Sequence, residues 1–129
     1  MARDARQPED MTPPRPPYSP VVVSGDLVFT AGQVAFDADG SLVPGGIEEQ
    51  TRQVMANLAM CLGAAGCSLD DAVKVSAFLA DLGDFEAFNR VYAEHFTKPY
   101  PVRTTVRAGL ADGLLVEIDV VARLPERRS

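Results

Sequence analysis

With 129 residues, 47% of them hydrophobic and 23% charged, the chain is long enough to bury about two-thirds of its unfolded surface in one domain and too short for two. Twelve Lys and Arg against eighteen Asp and Glu leave a net charge of −6, a field that repels phosphate backbones and anionic bilayers, so neither nucleic acid nor membrane is an expected partner. Two cysteines, Cys61 and Cys67, and a single histidine, His95, supply no ligand set for a metal.

The N-terminal residues carry charge without an apolar segment behind it, which does not read as a secretory signal, so a reducing cytoplasm with two free thiols is the expected setting. Six of the ten prolines fall between Pro8 and Pro20, where fixed φ and missing N–H donors oppose helix. Residues 1–16 are therefore read as a mobile arm, 17–124 as one domain and 125–129 as a C-terminal tail. From Val21 two β-rich runs flank Gly25-Asp26 and predict a hairpin whose second strand ends near Gly32-Gln33. Asp37 to Gly40 predicts the next turn.

Between Ile47 and Ala65, Val54, Leu58, Cys61, Leu62 and Ala65 recur at helical spacing, with Glu48 and Glu49 at the positive end of the dipole and Gly66 as the stop. Ser68 to Asp71 reads as a capped turn, and Val73, Val75, Ala77 and Leu79 alternate as a strand. Asp84 is placed to cap a second helix with a stripe of Phe85, Phe88, Val91, Tyr92 and Phe96, closed by Pro99 and Pro101. Val102–Ala108 and Leu114–Leu124 read as strands joined by a turn at Asp112-Gly113. The order β-β-α-β-α-β-β predicts an α+β domain, a sheet of five or six strands with two helices on one face. If the more apolar rows face the helices, Arg103, Thr105, Arg107, Glu117 and Asp119 share the uncovered face with Phe78, Leu115 and Val121. Such a mixed face suits burial by neighbouring subunits around a polar cavity.

Of the polar residues, Arg103 stands out because Pro99-Tyr100-Pro101 stiffens the approach to its strand, and an anchored guanidinium can grip a carboxylate through two parallel hydrogen bonds. The competing reading is a surface ion pair with Glu117 or Asp119. Glu117 can position a water or exchange a proton with it. His95 suits the end of the second helix, and Cys61, Tyr92 and Phe96 suit the core. Ser19, Ser24, Thr104 and Thr105 have no histidine partner that would make a triad. Gly32, Gly45 and Gly46 match no phosphate-binding fingerprint.

Pro17-Tyr18-Ser19-Pro20, Ala31-Gly32-Gln33, Glu48 to Val54, Phe88-Asn89-Arg90-Val91-Tyr92, Pro101 to Val106 and Val116-Glu117-Ile118, in this order and spacing, resemble the RidA/YjgF family of reactive-intermediate deaminases over residues 17 to 123. The resemblance implies a chorismate-mutase-like fold and a homotrimer with sheets inside and sites between subunits. It also implies cofactor-free hydrolysis of 2-imino acids or their enamine tautomers to 2-keto acids and ammonia. Position by position, it assigns Arg103 to the substrate carboxylate, Glu117 to the hydrolytic water, and Tyr18 and Asn89 to the site lining. Pocket-shaping backbone is assigned to Gly32 and Thr105. Ala31 departs from the serine common in the family and removes a hydroxyl from the pocket; Thr105 stands where some members have cysteine. Val34 to Asp37 and Gly109-Leu110 resemble a pyrimidine-catabolism branch that handles aminoacrylate derivatives. That branch, and a non-catalytic trimer that binds small carboxylates or regulates an enzyme, stand as the alternatives to a 2-imino acid deaminase.

Overall fold

The structure is a computed structural model that describes residues 3–125. Met1 and Ala2 of the expected arm, and all of the expected tail beyond Pro125, lie outside the described residues. Eight principal elements follow in chain order: strands β1 (Asp4–Arg6), β2 (Val21–Ser24) and β3 (Leu27–Thr30), helix α1 (Ile47–Gly63), strand β4 (Ala72–Leu79), helix α2 (Phe85–Ala93), and strands β5 (Val102–Arg107) and β6 (Val116–Arg123). They build one six-stranded mixed sheet in the order β1-β2-β3-β6-β4-β5, with only the β4–β5 pair parallel.

Local chemistry explains most boundaries. Gly25, at φ +59, takes the turn between β2 and β3 with a conformation that a side chain would disfavour. At the start of α1 the Glu49 carboxylate accepts the Gly46 N–H at 2.7 Å, occupying a donor that the helix leaves free. Gly66, at φ +80, lets the Cys67 N–H return to the Leu62 carbonyl at 2.9 Å, so α1 stops at Gly63 and Ala65 lies in its exit. Asp84 sits at the start of α2 but its side chain makes no capping bond. Asp81 does the local work, accepting the Gly83 N–H at 2.8 Å.

Two expectations change. Asp4–Arg6, inside the expected mobile arm of residues 1–16, pairs antiparallel with β2 and covers its edge, because the prolines begin only at Pro8 and leave the first N–H groups free to pair. β5 and β6 are not a hairpin: β4 lies between them, as the β4–α2–β5 crossover places β5 parallel beside β4.

That crossover also overturns the predicted division of faces. Val75, Ala77 and Leu79 of β4 are buried under the helices together with Val116, Ile118, Val120 and Ala122 of β6. The parallel register sets Arg103, Thr105 and Arg107 beside those three β4 residues, hence on the helix side. Glu117 and Asp119, beside Phe78 and Ser76, point the other way. The rule that the more apolar row faces the helices fails at β5 because β5 is an edge strand. Its apolar row, Val102 and Val106, is left 67% and 43% exposed on the uncovered face, where Phe29 is 41% exposed.

Candidate active site

Arg103 lies beneath α2. Phe85, Phe88, Asn89 and Tyr92 recur at three- and four-residue spacing along that helix and so share the side that meets β5. The guanidinium carbon is 5.8, 5.3 and 4.6 Å from the ring centroids of Phe85, Phe88 and Tyr92, within cation–π range of all three. Nη2 donates to the Asn89 Oδ1 at 2.8 Å. Arg6, Arg52, Arg90 and Arg123 each face a carboxylate, whereas Arg103 forms no ion pair among the described residues. The ion-pair reading of the sequence is thereby excluded: Glu117 and Asp119 are on the far side of the sheet. A half-buried cation that spends one of its five N–H donors on a neutral amide keeps the others for an anion.

Glu117 is positioned by the end of β3. The Gln33 N–H donates to the Ile118 carbonyl at 2.8 Å and the Ile118 N–H returns to Gln33 at 3.1 Å, which draws Gly32 alongside Glu117. The carboxylate lies so close over Gly32 that a Cβ added there would be 2.6 Å from Oε2. Burial pushes the Glu117 carboxyl above its ordinary value and the like charge of Asp119 adds to the rise. Asp119 is also raised by burial, opposed by its hydrogen bond from Ser76 and by Lys74. Because the group that Gly32→Ala would strike is the end of a flexible side chain, the variant is expected to move the carboxylate rather than the backbone. Turnover should fall about tenfold while the melting temperature changes little, the signature of a misplaced rather than an unfolded site. Parallel activity and thermal-melt measurements check it, and a large loss of stability would contradict it.

Tyr18, 53% exposed, and Gly32 border a cavity of about 460 Å³ between the proline-rich stretch, the loop after β3, and Asn57 and Met60 of α1. Asn57 is buried and fixes that loop by donating to the carbonyls of Val34 and Phe36. Ala31 is tied back by its N–H to the Pro20 carbonyl at 2.9 Å. Gly32 thus lies against Glu117 and also borders, with Tyr18, that cavity, whose lining includes neither Ala31 nor Glu117, while Asn89, Arg103 and Thr105 lie on the helix side of the sheet. With β4 between β5 and β6 and the two charged side chains on opposite faces, Arg103 and Glu117 are not brought together within one chain. The Thr105 hydroxyl is buried on the helix side without a hydrogen-bond partner. From sequence Tyr92 suits the core and Phe88 only the stripe of the second helix; helical spacing shows which face a residue occupies and not that a cation ends there.

The other candidates take structural roles. His95 Nδ1 lies 2.9 Å from the Val91 carbonyl, and the Cys61 thiol, pushed up to about 11 by burial, is a core group. Among the described residues no group of three or more His, Cys, Asp or Glu side chains is placed to hold a metal ion, and no helix is long and apolar enough to cross a membrane.

A sequence profile of the family described as Endoribonuclease L-PSP matches residues 9–124. The protein mmf2, mitochondrial, of Schizosaccharomyces pombe is 48% identical over 82% of this chain and 86% of its own length. A 2-iminobutanoate/2-iminopropanoate deaminase of Capra hircus is 40% identical over 82% of this chain and 79% of its own. In three dimensions, E. coli TdcF with bound serine superposes with a TM-score of 0.85 at 30% identity, covering 95% of this chain and 99% of TdcF.

Proposed function

The chain belongs to the Endoribonuclease L-PSP family, known also as RidA/YjgF, and from that membership we propose that it hydrolyses small 2-imino acids and their enamine tautomers to 2-keto acids and ammonia. One observation carries the reading: a guanidinium held by an amide and three aromatic rings, with no carboxylate partner among the described residues, is a receptor for a small carboxylate. The relatives named as 2-iminobutanoate/2-iminopropanoate deaminases support the choice of substrate.

In this mechanism Arg103 holds the carboxylate and leaves the adjacent C=N carbon facing a water beside Glu117. The carbon of a protonated imine is already electrophilic, so placement is the main requirement. Water oxygen bonds to that carbon, the π pair moves to nitrogen, and Glu117 takes the water proton. Glu117 then returns the proton to the nitrogen and, as the C–N bond breaks, takes the hydroxyl proton so that the O–H pair becomes the carbonyl π bond; ammonia leaves the keto acid, and Glu117 passes its proton to the departing ammonia as ammonium. A carboxyl raised by burial exchanges protons more readily near neutral pH than an exposed one.

Since the two groups occupy opposite faces of one sheet, the site is assembled from two protomers, the Arg103 half of one against the Glu117 half of the next, in the homotrimer that the family resemblance implies. The exposed apolar rows of Phe29, Val102 and Val106 supply surface for that assembly. The two free thiols suit a reducing compartment, proposed as the cytoplasm. RNA is not the proposed substrate despite the family's description, because the net charge is −6. A second reading, a trimer that binds small carboxylates without turnover, is favoured by the serine bound to TdcF.

The test uses two inactive variants. Arg103→Ala and Glu117→Gln chains, unfolded together and refolded at equal ratio, are expected to recover about a quarter of wild-type activity on 2-iminobutanoate, the fraction of interfaces that pair one intact half with the other. An amino acid oxidase generates the imine and semicarbazide traps what is not hydrolysed. No recovery in the mixture would place both residues in one chain's site, and no turnover by the wild type would leave only the binding reading.

A further inference from the structure

Of the side chains around Arg103, Tyr92 comes nearest, with its ring centroid 4.6 Å from the guanidinium carbon. It is 6% exposed, and its hydroxyl has no hydrogen-bond partner among the described residues. Phenylalanine would fill the same space without burying an unpaired hydroxyl, as Phe88 does one turn earlier, so packing alone does not account for a tyrosine here. Beside this idle acceptor stands the densest donor in the neighbourhood, a guanidinium with one N–H committed to Asn89. Asn89 and Tyr92 are three residues apart on α2, so a single rigid helix offers both acceptors from one side. Burial raises the Tyr92 hydroxyl, keeping it neutral and able to accept, and both the charge of Arg103 and the approach of its N–H groups toward that hydroxyl work against the rise, although no hydrogen bond of full geometry is formed.

We propose that Tyr92 is a positioning residue for Arg103: its ring holds the guanidinium by cation–π contact, and its hydroxyl is the further acceptor onto which the fork settles when a carboxylate takes the outer donors. The inference rests on the reading of Arg103 as the carboxylate-binding group. Tyr92 then acts only through Arg103. It governs how tightly the ligand is held and has little influence on the steps at the C=N carbon.

The probe is 2-oxobutanoate, a stable keto acid, titrated by calorimetry into wild type, Tyr92→Phe and Tyr92→Leu, with steady-state turnover measured in parallel. Tyr92→Phe is expected to raise Kd and KM about threefold, and Tyr92→Leu, which removes the ring as well, about tenfold, both with kcat within about twofold of wild type. In the ligand-free protein the Arg103 Nε–H resonance, shifted by ring currents in the wild type, is expected to move toward its unstacked position in Tyr92→Leu. A purely structural tyrosine would lower the melting temperature and leave both the KM-to-kcat split and that resonance unmoved. Wild-type affinity in folded Tyr92→Leu overturns the inference, as does wild-type affinity in Tyr92→Phe should the leucine variant not fold. A wild type that binds the keto acid without hydrolysing imines defeats the deaminase reading and leaves this one to be decided by the Kd values; a wild type that does not bind it overturns both.

Discussion

Arg103→Ala is expected to lower kcat/KM for 2-iminobutanoate by about a hundredfold or more, with most of the loss in KM. Each hydrogen bond between charged partners contributes about 1.5–3 kcal/mol, so loss of a two-bond carboxylate grip corresponds to between about 10² and 10⁴ in rate at limiting substrate. The loss should not be a folding defect. Arg103 has no ion pair among the described residues to break, and its removal leaves Asn89 with a single neutral acceptor to be satisfied by water. Arg103→Lys is the sharper variant. It keeps the charge but loses the planar fork and the stacking on Phe88 and Tyr92, so it should recover little of the activity. Full recovery with lysine would mean that a positive charge suffices and that the ring cradle is incidental. Coupled turnover assays and thermal melts on both variants check these outcomes.

How much of this was legible in the residues depends on whether the signal was local. The hairpin around Gly25, the start of α1 and the stop at Gly66 follow from turn chemistry and 3.6-residue periodicity, and the structure repeats them, with α1 ending at Gly63 rather than at the expected Ala65. Arg103 and Asn89 drew attention through a stiff approach and a motif, and they do meet, at 2.8 Å. The faces were misread because strand periodicity divides a strand into two rows without saying which row faces the helices. Only pairing decides that, and β5 takes its facing from its parallel alignment with Val75, Ala77 and Leu79. Glu117 and Arg103 were consequently put on one surface when they occupy two. The closeness of Glu117 to Gly32 depends on a bridge between Gln33 and Ile118, 85 positions apart, which no short-range pattern encodes.

Glu117→Gln is expected to abolish turnover, by about 10² to 10⁴ as for removal of a general acid–base group, while raising the melting temperature at neutral pH. The two effects share one cause. The folded-state pKa of Glu117 lies above the ordinary carboxylate value of 4.5, first through burial and then through Asp119. The folded protein therefore holds that proton more tightly than the unfolded chain does. The resulting stability is fully present below the unfolded value and is lost as pH rises through the folded one. At neutral pH the wild type carries the cost of an ionised, half-buried carboxylate beside a second carboxylate, and glutamine removes it. At pH below the unfolded value both side chains are neutral, so the advantage of the variant should vanish there. Catalysis runs with the opposite sign. The base form accepts the water proton, so kcat should climb with pH through the raised pKa and level off above it. In the proposed two-protomer site the guanidinium of the neighbouring protomer would pull the pKa down until a substrate carboxylate neutralises it, so the predicted profile belongs to kcat rather than kcat/KM, and the predicted melts to protein saturated with 2-oxobutanoate. If the glutamine variant melted lower than the wild type at neutral pH, Glu117 would be a structural hydrogen-bond partner, and its placement over Gly32 would have to be explained by stability instead of proton transfer.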